Sequence, residues 1–506
     1  MTKYDHIVVG SGISGLTTTL LLALSGHKVL LLEKAPRLGG SLARFTRKGV
    51  PFDTGFHFTG GLIHGGLLYR LLSTLGLFDA VEPLFMSANH AHRFVLESED
   101  RIIDLPAGIP NLRQKLKDEF PAEQNAVDGY LDRVIRVCSQ TVGMDLNLIG
   151  ESSPHLEEET ISLKSVVDGL TTDPILKSVV YGLGMCYGVK PSEVSFATHA
   201  RVCFDLYEST ARLRDGGESL LQAFEQAFRK LDVEVRCNSW IAECGRVTDR
   251  RVESFILNNG QEVSAEATIL TIHPNQILQL LPREHLSRAF VDRVESFEPS
   301  AGFFTVYGLL EDESDTAFGG TIVSLFPSPD FESLLDPGYR GDPALVICGS
   351  TENVRGVTHR AITTFEPSFP SHVAAWKDSR TGHRPPGYAE YKAGRVEAIR
   401  RHLGRYDTSY TDCFRVLDSA SILTYRDYLH SPEGSAYGIK QKVGQYNLIG
   451  KLPIRNLFAA GQSALLPGIA GAMMSSFFVM RSVLGKDSFN RLIASARSMR
   501  ALPGGA

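Results

Sequence analysis

Long apolar runs are missing from this 506-residue sequence. Stretches such as Thr19–Leu24 and Val29–Leu32 fall far short of the roughly 20 residues that a spanning helix needs. Cysteine is sparse too. There are seven, an odd number at scattered spacings, and none forms a Cys-x-x-Cys pair. That pattern implies neither a disulfide framework nor a metal site, and the expectation is reduced thiols in a cytoplasmic protein. A basic excess is absent: 52 Lys+Arg stand against 57 Asp+Glu, a net charge of -5. This argues against nucleic acid as a partner. No secretory leader is visible, because Lys3 is followed by Asp5 and His6 rather than by an apolar stretch. Tandem repeats and biased segments are also lacking. What remains is ordinary: 43% hydrophobic, 22% charged, 47 Gly and 24 Pro, the composition of a globular chain. The length suits roughly three domains' worth of chain, or two interwoven domains, with a large core.

The strongest positive signal is local. Tyr4–Val9 reads as a β-strand, ending in Gly10-Ser-Gly12-Ile-Ser14-Gly15. A helical segment, Leu16–Ser25, follows and stops at Gly26; a second apolar run, Lys28–Leu32, ends in Glu33. Strand, glycine turn, helix, strand and acid is the pattern of a dinucleotide site. Gly10 makes the tight turn, Gly12 admits a pyrophosphate, and Gly15 lets the helix approach the strand. The helix N-terminus supplies unpaired N–H groups and partial positive charge. Glu33 stands where ribose hydroxyls are expected, which points to FAD or NAD rather than NADP. A second glycine cluster, Gly182-Leu-Gly184-Met-Cys-Tyr-Gly188, has the wrong spacing and no acid after it. It reads as small residues in a helix or bend near a pocket.

Three further blocks favour FAD over NAD. The first is Arg37-Leu-Gly39-Gly40-Ser41, then Arg44, then Phe52-Asp53-Thr-Gly55-Phe56-His57. The second is Asp215-Gly216-Gly217 before an amphipathic helix, with a strand at Val233–Arg236 and a hairpin turn at Asn259-Gly260. The third, near the other end, is Gly461-Gln462-Ser463, then Pro467-Gly468, then Gly471-Ala472 and an apolar helix from about Met473. Its N-terminus could stabilise negative charge on a reduced flavin.

In order and over almost the whole length, these blocks resemble the FAD-dependent phytoene desaturase and carotenoid isomerase family, which includes retinol saturase-like enzymes. These are amine-oxidase-like flavoproteins. The resemblance implies an α/β fold: a glutathione-reductase-type, Rossmann-like FAD-binding domain with an inserted α+β substrate-binding domain. The expected segments are 1–60, 212–275 and 415–490 for FAD, 61–211 and 276–414 for substrate and lid, and 491–506 as a flexible tail. By position it implies FAD contacts at Gly10, Gly12, Ser14, Gly15, Glu33, Lys34, Gly40, Ser41 and Arg44. Val235 would hold the adenine through its backbone, and Gly461, Gln462, Gly471 and Ala472 would lie along the ribityl chain and ring. One departure stands out. The family pairs Gly with Asp in the C-terminal block, and here Gln462 follows Gly461; an amide can make the same hydrogen bond without charge.

The chemistry implied is desaturation, saturation or cis–trans isomerisation at carbon–carbon bonds of a hydrophobic polyene or isoprenoid. A flavin carries the hydride, and the protein orients and desolvates. His57 and Tyr437 are the candidate catalytic side chains. His90-x-His92 has strand spacing but no third ligand nearby, so no metal is expected. Two other functions remain open: a flavin-dependent amine oxidase, and a non-catalytic prenyl carrier of the Rab GDP-dissociation-inhibitor type. A greasy substrate would also bring the protein into peripheral contact with a membrane. Oligomeric state is not legible.

Overall fold

A computed structural model describes residues 2–146, 148–151, 154–311 and 318–501. Its first layer grows from the N-terminal apolar runs. Strand β1 (Thr2–Val9) pairs in parallel with β2 (Val29–Leu32), bringing His6 opposite Val29. Between them runs helix α1 (Ile13–Leu24). Parallel neighbours buried on both faces need continuous apolar sequence, and all four residues of β2 are buried. Helix α1 is likewise apolar almost all round. Leu16, Leu20, Leu21 and Leu22 have no exposed surface, and each such burial contributes roughly 1.5–3 kcal/mol. Among the described residues the sheet has eight strands. Glu234–Arg236 forms the edge beside β2, and Glu262–Leu270 lies in parallel on the other side of β1. Leu457–Ala459 joins Glu262–Leu270 from the far end of the chain.

The second layer is a seven-stranded, largely antiparallel sheet. Its spatial order is Phe414–Ala420, Gly302–Leu310, Val357–Ser368, Leu345–Val354, Ile322–Phe326, His92–Leu96, Arg101–Leu105. Strand alternation gives it two faces. Phe304, Val306, Ile362 and Ile347 pack against Ile399 and Leu403 of the helix Tyr388–Tyr406. The other face carries Phe303, Tyr307, Phe365 and Cys348. A hairpin, β3 (Arg44–Arg47) and β4 (Val50–Asp53), reaches from the first unit onto this face, where Phe45 and Phe52 meet Tyr307.

Three expectations need correction. Residues 415–420 belong to the second sheet, because Phe414–Ala420 pairs with Gly302–Leu310. Residues 491–501 are helical, within Lys486–Ala501, and Leu492 and Ile493 are buried against the first core; residues 502–506 of the expected tail lie outside the described residues. The apolar C-terminal helix begins at Gly468, not near Met473. The turn at Asn259-Gly260 forms as expected, and His92–Leu96 pairs with Arg101–Leu105 as an antiparallel hairpin.

Candidate FAD and substrate site

The glycines of the expected cofactor site sort into two kinds. Some are small because protein leaves no room. A Cβ on Gly15 would stand 1.8 Å from the carbonyl oxygen of Gly10, one on Gly217 2.2 Å from that of Leu42, and one on Gly471 2.4 Å from that of Leu466. Others face open space. A Cβ on Gly12 or Gly468 would meet nothing within 4 Å, and one on Gly40 only Gly12 at 3.6 Å. Gly40 and Gly468 hold φ at +53° and +79°, which favours glycine by itself, whereas Gly12 has an ordinary φ, so neither its backbone nor any protein atom excludes a side chain there. Gly12 is also the N-cap of α1, with no side-chain cap and no acid in the first turn. The amides of that turn are left for an anion. Gly10 holds φ at +96°, with Thr271 Oγ1 donating to the Val9 and Gly10 carbonyls behind it.

Glu33 ends β2 beside this loop. Its Oε2 accepts from the Ser11 amide at 2.8 Å and from the Ser11 hydroxyl, and its Oε1 accepts from the Ala35 amide at 2.7 Å. The acid thus shapes the glycine turn as well as standing at the ribose position. Across the edge, the Glu33 amide donates to the Arg236 carbonyl. Neighbouring residues of a strand point their backbone groups to opposite sides. The amide and carbonyl of Val235 therefore face the open edge of the sheet, free to pair with a base.

Several expected contacts differ in detail. Ser14 is buried, and its hydroxyl is 2.8 Å from that of Ser476, so the side chain joins α1 to the helix Gly468–Leu484 rather than facing a cofactor. Lys34 is exposed, with Nζ 5.5 Å from the Trp240 ring centroid. Ser41 is exposed, and its carbonyl accepts from the Gly55 amide. Gly471 and Ala472 lie buried within the C-terminal helix. The uncapped first turn there is Gly468, Ile469 and Ala470, which moves the donor end three residues upstream. Gly461 donates its amide to Ser475 Oγ at 2.8 Å. The backbone carbonyl of Gln462 accepts from Gln441 Nε2 at 2.8 Å, and its side-chain amide makes no hydrogen bond among the described residues. Arg44 is buried and ion-paired with Asp53 and Glu352.

The two candidate catalytic side chains come together through residues that the sequence did not single out. His57 stacks on Phe365 with centroids 5.3 Å apart. Phe365 meets Phe303 edge-on at 5.0 Å, and Phe303 meets Tyr437 at 6.2 Å. His57, Phe365, Phe303 and Tyr437 thus form one aromatic row on the face of the second sheet that the β3–β4 hairpin also meets. The imidazole of His57 is half-buried and makes no hydrogen bond among the described residues. Burial, with the positive charges of Arg212 and Arg44, lowers its pKa to about 4, so it is neutral at physiological pH. The hydroxyl of Tyr437 donates to the Met185 carbonyl at 3.0 Å, pinning its ring against the turn Gly182–Cys186. That turn is the second glycine cluster, buried and one-turn helical as expected. A Cβ on Gly188 would press the Tyr437 ring at 3.2 Å. His90 and His92 bond separate partners, Thr321 and Thr210.

Phe365 escaped notice as the odd aromatic in Val357–Ser368; Phe303 lies in the stretch Phe303 to Leu310, whose apolar and small residues suit a greasy pocket, but it shares that strand with Phe304 and Tyr307, and sequence alone does not say which ring faces the site. Arg212 left a better trace, as a charged residue in a strand whose four residues are all buried; Glu352 left none, because it sits in the polar stretch Ser350-Thr-Glu-Asn353 between exposed neighbours.

A sheet parallel at its centre, with an open glycine turn, an acid closing the second strand and an uncapped helix, has the form of a dinucleotide-binding unit. The sequence model of the flavin containing amine oxidoreductase family matches residues 13–307, more than half of the chain. The chain belongs to that family, is an FAD-dependent oxidoreductase, and takes FAD as its cofactor. It is similar, at 24% identity over 97% of its length and 87% of the relative's, to an all-trans-retinol 13,14-reductase of Macaca fascicularis. It is also similar, at 24% identity over 55% of its length and 48% of the relative's, to a 15-cis-phytoene desaturase of an Oncidium hybrid cultivar. Among solved structures, a putrescine oxidase variant shares the fold, with a TM-score of 0.64 and 14% identity over 97% of this chain and 99% of that one.

Proposed function

We propose that the protein makes or removes a carbon–carbon double bond in a hydrophobic polyene or isoprenoid, with saturation of a conjugated bond as the favoured direction. The observation that carries this is the aromatic row beside the cofactor hairpin. Four flat rings on a sheet face suit a flat conjugated chain, because ring faces and edges pair at 4.5–7 Å. The full-length similarity to retinol reductases supports the direction. In this reading the segments 1–60, 212–275 and the C-terminal part from Gly450 carry FAD, and the second sheet with its helices carries the substrate. Gly10, Gly12, Gly40 and the first turn of α1 hold the pyrophosphate, Glu33 the ribose and Val235 the adenine. The helix starting at Gly468 and Gln462 meet the flavin end.

FAD, when bound, supplies hydride transfer at the carbon–carbon bond. The chain's own residues do the rest. Phe303 and Phe365 orient the polyene and keep water off it. Tyr437 is a fixed wall, since its hydroxyl is already engaged. His57 is the group free to hold or pass a proton, because a neutral imidazole offers one donor and one acceptor. The test is turnover of a retinoid or carotenoid panel by the loaded protein, with a net change in the polyene absorption. No change with any polyene, alongside oxidation of an amine, overturns the reading.

No helix of the described residues is long and apolar enough to cross a membrane. Transient contact with a membrane surface follows from the proposed substrate and is checked by flotation with liposomes. Protein that stays entirely out of the lipid fraction, with and without loaded substrate, counts against it.

A further inference from the structure

Four charged side chains are buried together where the two sheets meet. Arg44 of β3 faces Asp53 of β4, with Nε 2.8 Å from Oδ1. Glu352 comes from the second sheet, and its Oε1 accepts from Arg44 Nη2 at 2.7 Å. Arg212 lies 4.0 Å from the same oxygen and donates to the Gly349 carbonyl at 2.6 Å. Their side chains are 6–10% exposed. Charges so deep persist only when each is paired, and here two cations meet two anions. The seat is tight: a Cβ on Gly216 would stand 2.0 Å from Asp53 Oδ1. Arg44 donates Nη2 to Glu352, and its Nε is ion-paired with Asp53 Oδ1 without hydrogen-bond geometry, while its Nη1 makes no hydrogen bond among the described residues.

A guanidinium is planar and rigid, so fixing two nitrogens fixes the direction of the third. We propose that Glu352 is a positioning residue for the cofactor: it reaches across from the second sheet, locks the Arg44 guanidinium against Asp53, and leaves Nη1 aimed at the FAD chain. This rests on the reading of Arg44 as an FAD contact. It also makes the grip on FAD depend on a residue of the substrate-bearing sheet, 308 positions away in sequence.

The test is a double-mutant cycle on FAD affinity, read from the flavin fluorescence that appears on release from the loaded protein. Glu352→Gln and Arg44→Met are each expected to weaken FAD about tenfold, and the double variant no more than Arg44→Met alone, since coupled residues are not additive. Glu352→Asp, which keeps the charge, is expected to recover most of the loss. Losses that simply add, or an unchanged affinity in Glu352→Gln, overturn the proposal. If Glu352→Gln does not fold, the Glu352→Asp variant still decides: its FAD release should be faster than wild type but slower than that of Arg44→Met, and equality with wild type overturns it. A wild-type protein that takes up no FAD would instead defeat the cofactor reading itself.

Discussion

The two halves of the site are built by opposite means. On the cofactor side, the elements β1, α1 and β2 are contiguous, and what matters is backbone: open glycines, an uncapped helix and an unpaired strand edge. On the substrate side, His57, Phe303, Phe365 and Tyr437 come from distant stretches, and what matters is side chains on a sheet face. A site made of backbone tolerates little change at its glycines and tolerates change at most of the side chains around it, the buried Arg44 and Glu352 excepted. A site made of side chains can be retuned residue by residue without losing the fold. That contrast explains how one nucleotide-binding frame can serve relatives named for retinol and for phytoene.

The contrast can be broken or sharpened by substitution. The largest effect is expected at Gly15, where any Cβ collides with the Gly10 backbone. Gly15→Val should yield no folded protein, and a well-folded variant by circular dichroism would show that α1 is not so tightly seated. Gly12→Val should fold normally, because the space is open, yet lose FAD; a purified variant with stoichiometric flavin would remove the pyrophosphate from this cradle. Next comes the substrate half. His57→Ala should keep FAD and lower turnover by about 10²-fold, the size of a lost proton-transfer group. Wild-type turnover would return His57 to a structural role. Phe365→Leu keeps the apolar surface and removes the flat ring, so KM for a conjugated substrate should rise about fivefold. An equal rise for a saturated analogue would mean that shape, not stacking, is read.

The smallest effect concerns pH. Burial lowers His6, His57, His92 and His273 to about 4 and His199 to about 3. Such groups stabilise the fold above the ordinary 6.5, and that stability is lost as pH falls through the folded values. Asp53 and Asp205, pushed up to about 6 by burial, oppose this, since their folded forms take protons more readily below pH 6. Five imidazoles outweigh two carboxyls, so Tm should fall between pH 7 and pH 4.5. A flat or rising Tm would mean that these imidazoles are not held neutral in the folded protein.

The cofactor half was legible because its determinants are local in sequence. Gly10, Gly12, Gly15 and Glu33 lie within 24 residues, each with a separate physical job. Even there, the Glu33 carboxylate turned out to brace Ser11, so Glu33→Ala would loosen the loop as well as the ribose contact. Ser14, Gly471 and Ala472 were carried over by position, and position does not show which side of a helix faces a neighbour. The substrate half was legible only in outline. The pairing of Phe414–Ala420 with Gly302–Leu310 is a long-range choice among many apolar strands, so the boundary near 415 was misplaced. The Arg44–Glu352 pair is equally remote. Leu492 and Ile493 offered too short an apolar pattern to mark the last helix, yet both are buried.

The most direct test of the central claim is an anaerobic visible spectrum of the FAD-loaded protein, oxidised and pre-reduced, with conjugated isoprenoids, saturated isoprenoids and amines added in turn. The account predicts that the flavin bands of the reduced protein return when a conjugated isoprenoid is added, or that those of the oxidised protein bleach with its more saturated partner. It predicts no response to amines. Bands that bleach with an amine and ignore every isoprenoid would contradict it.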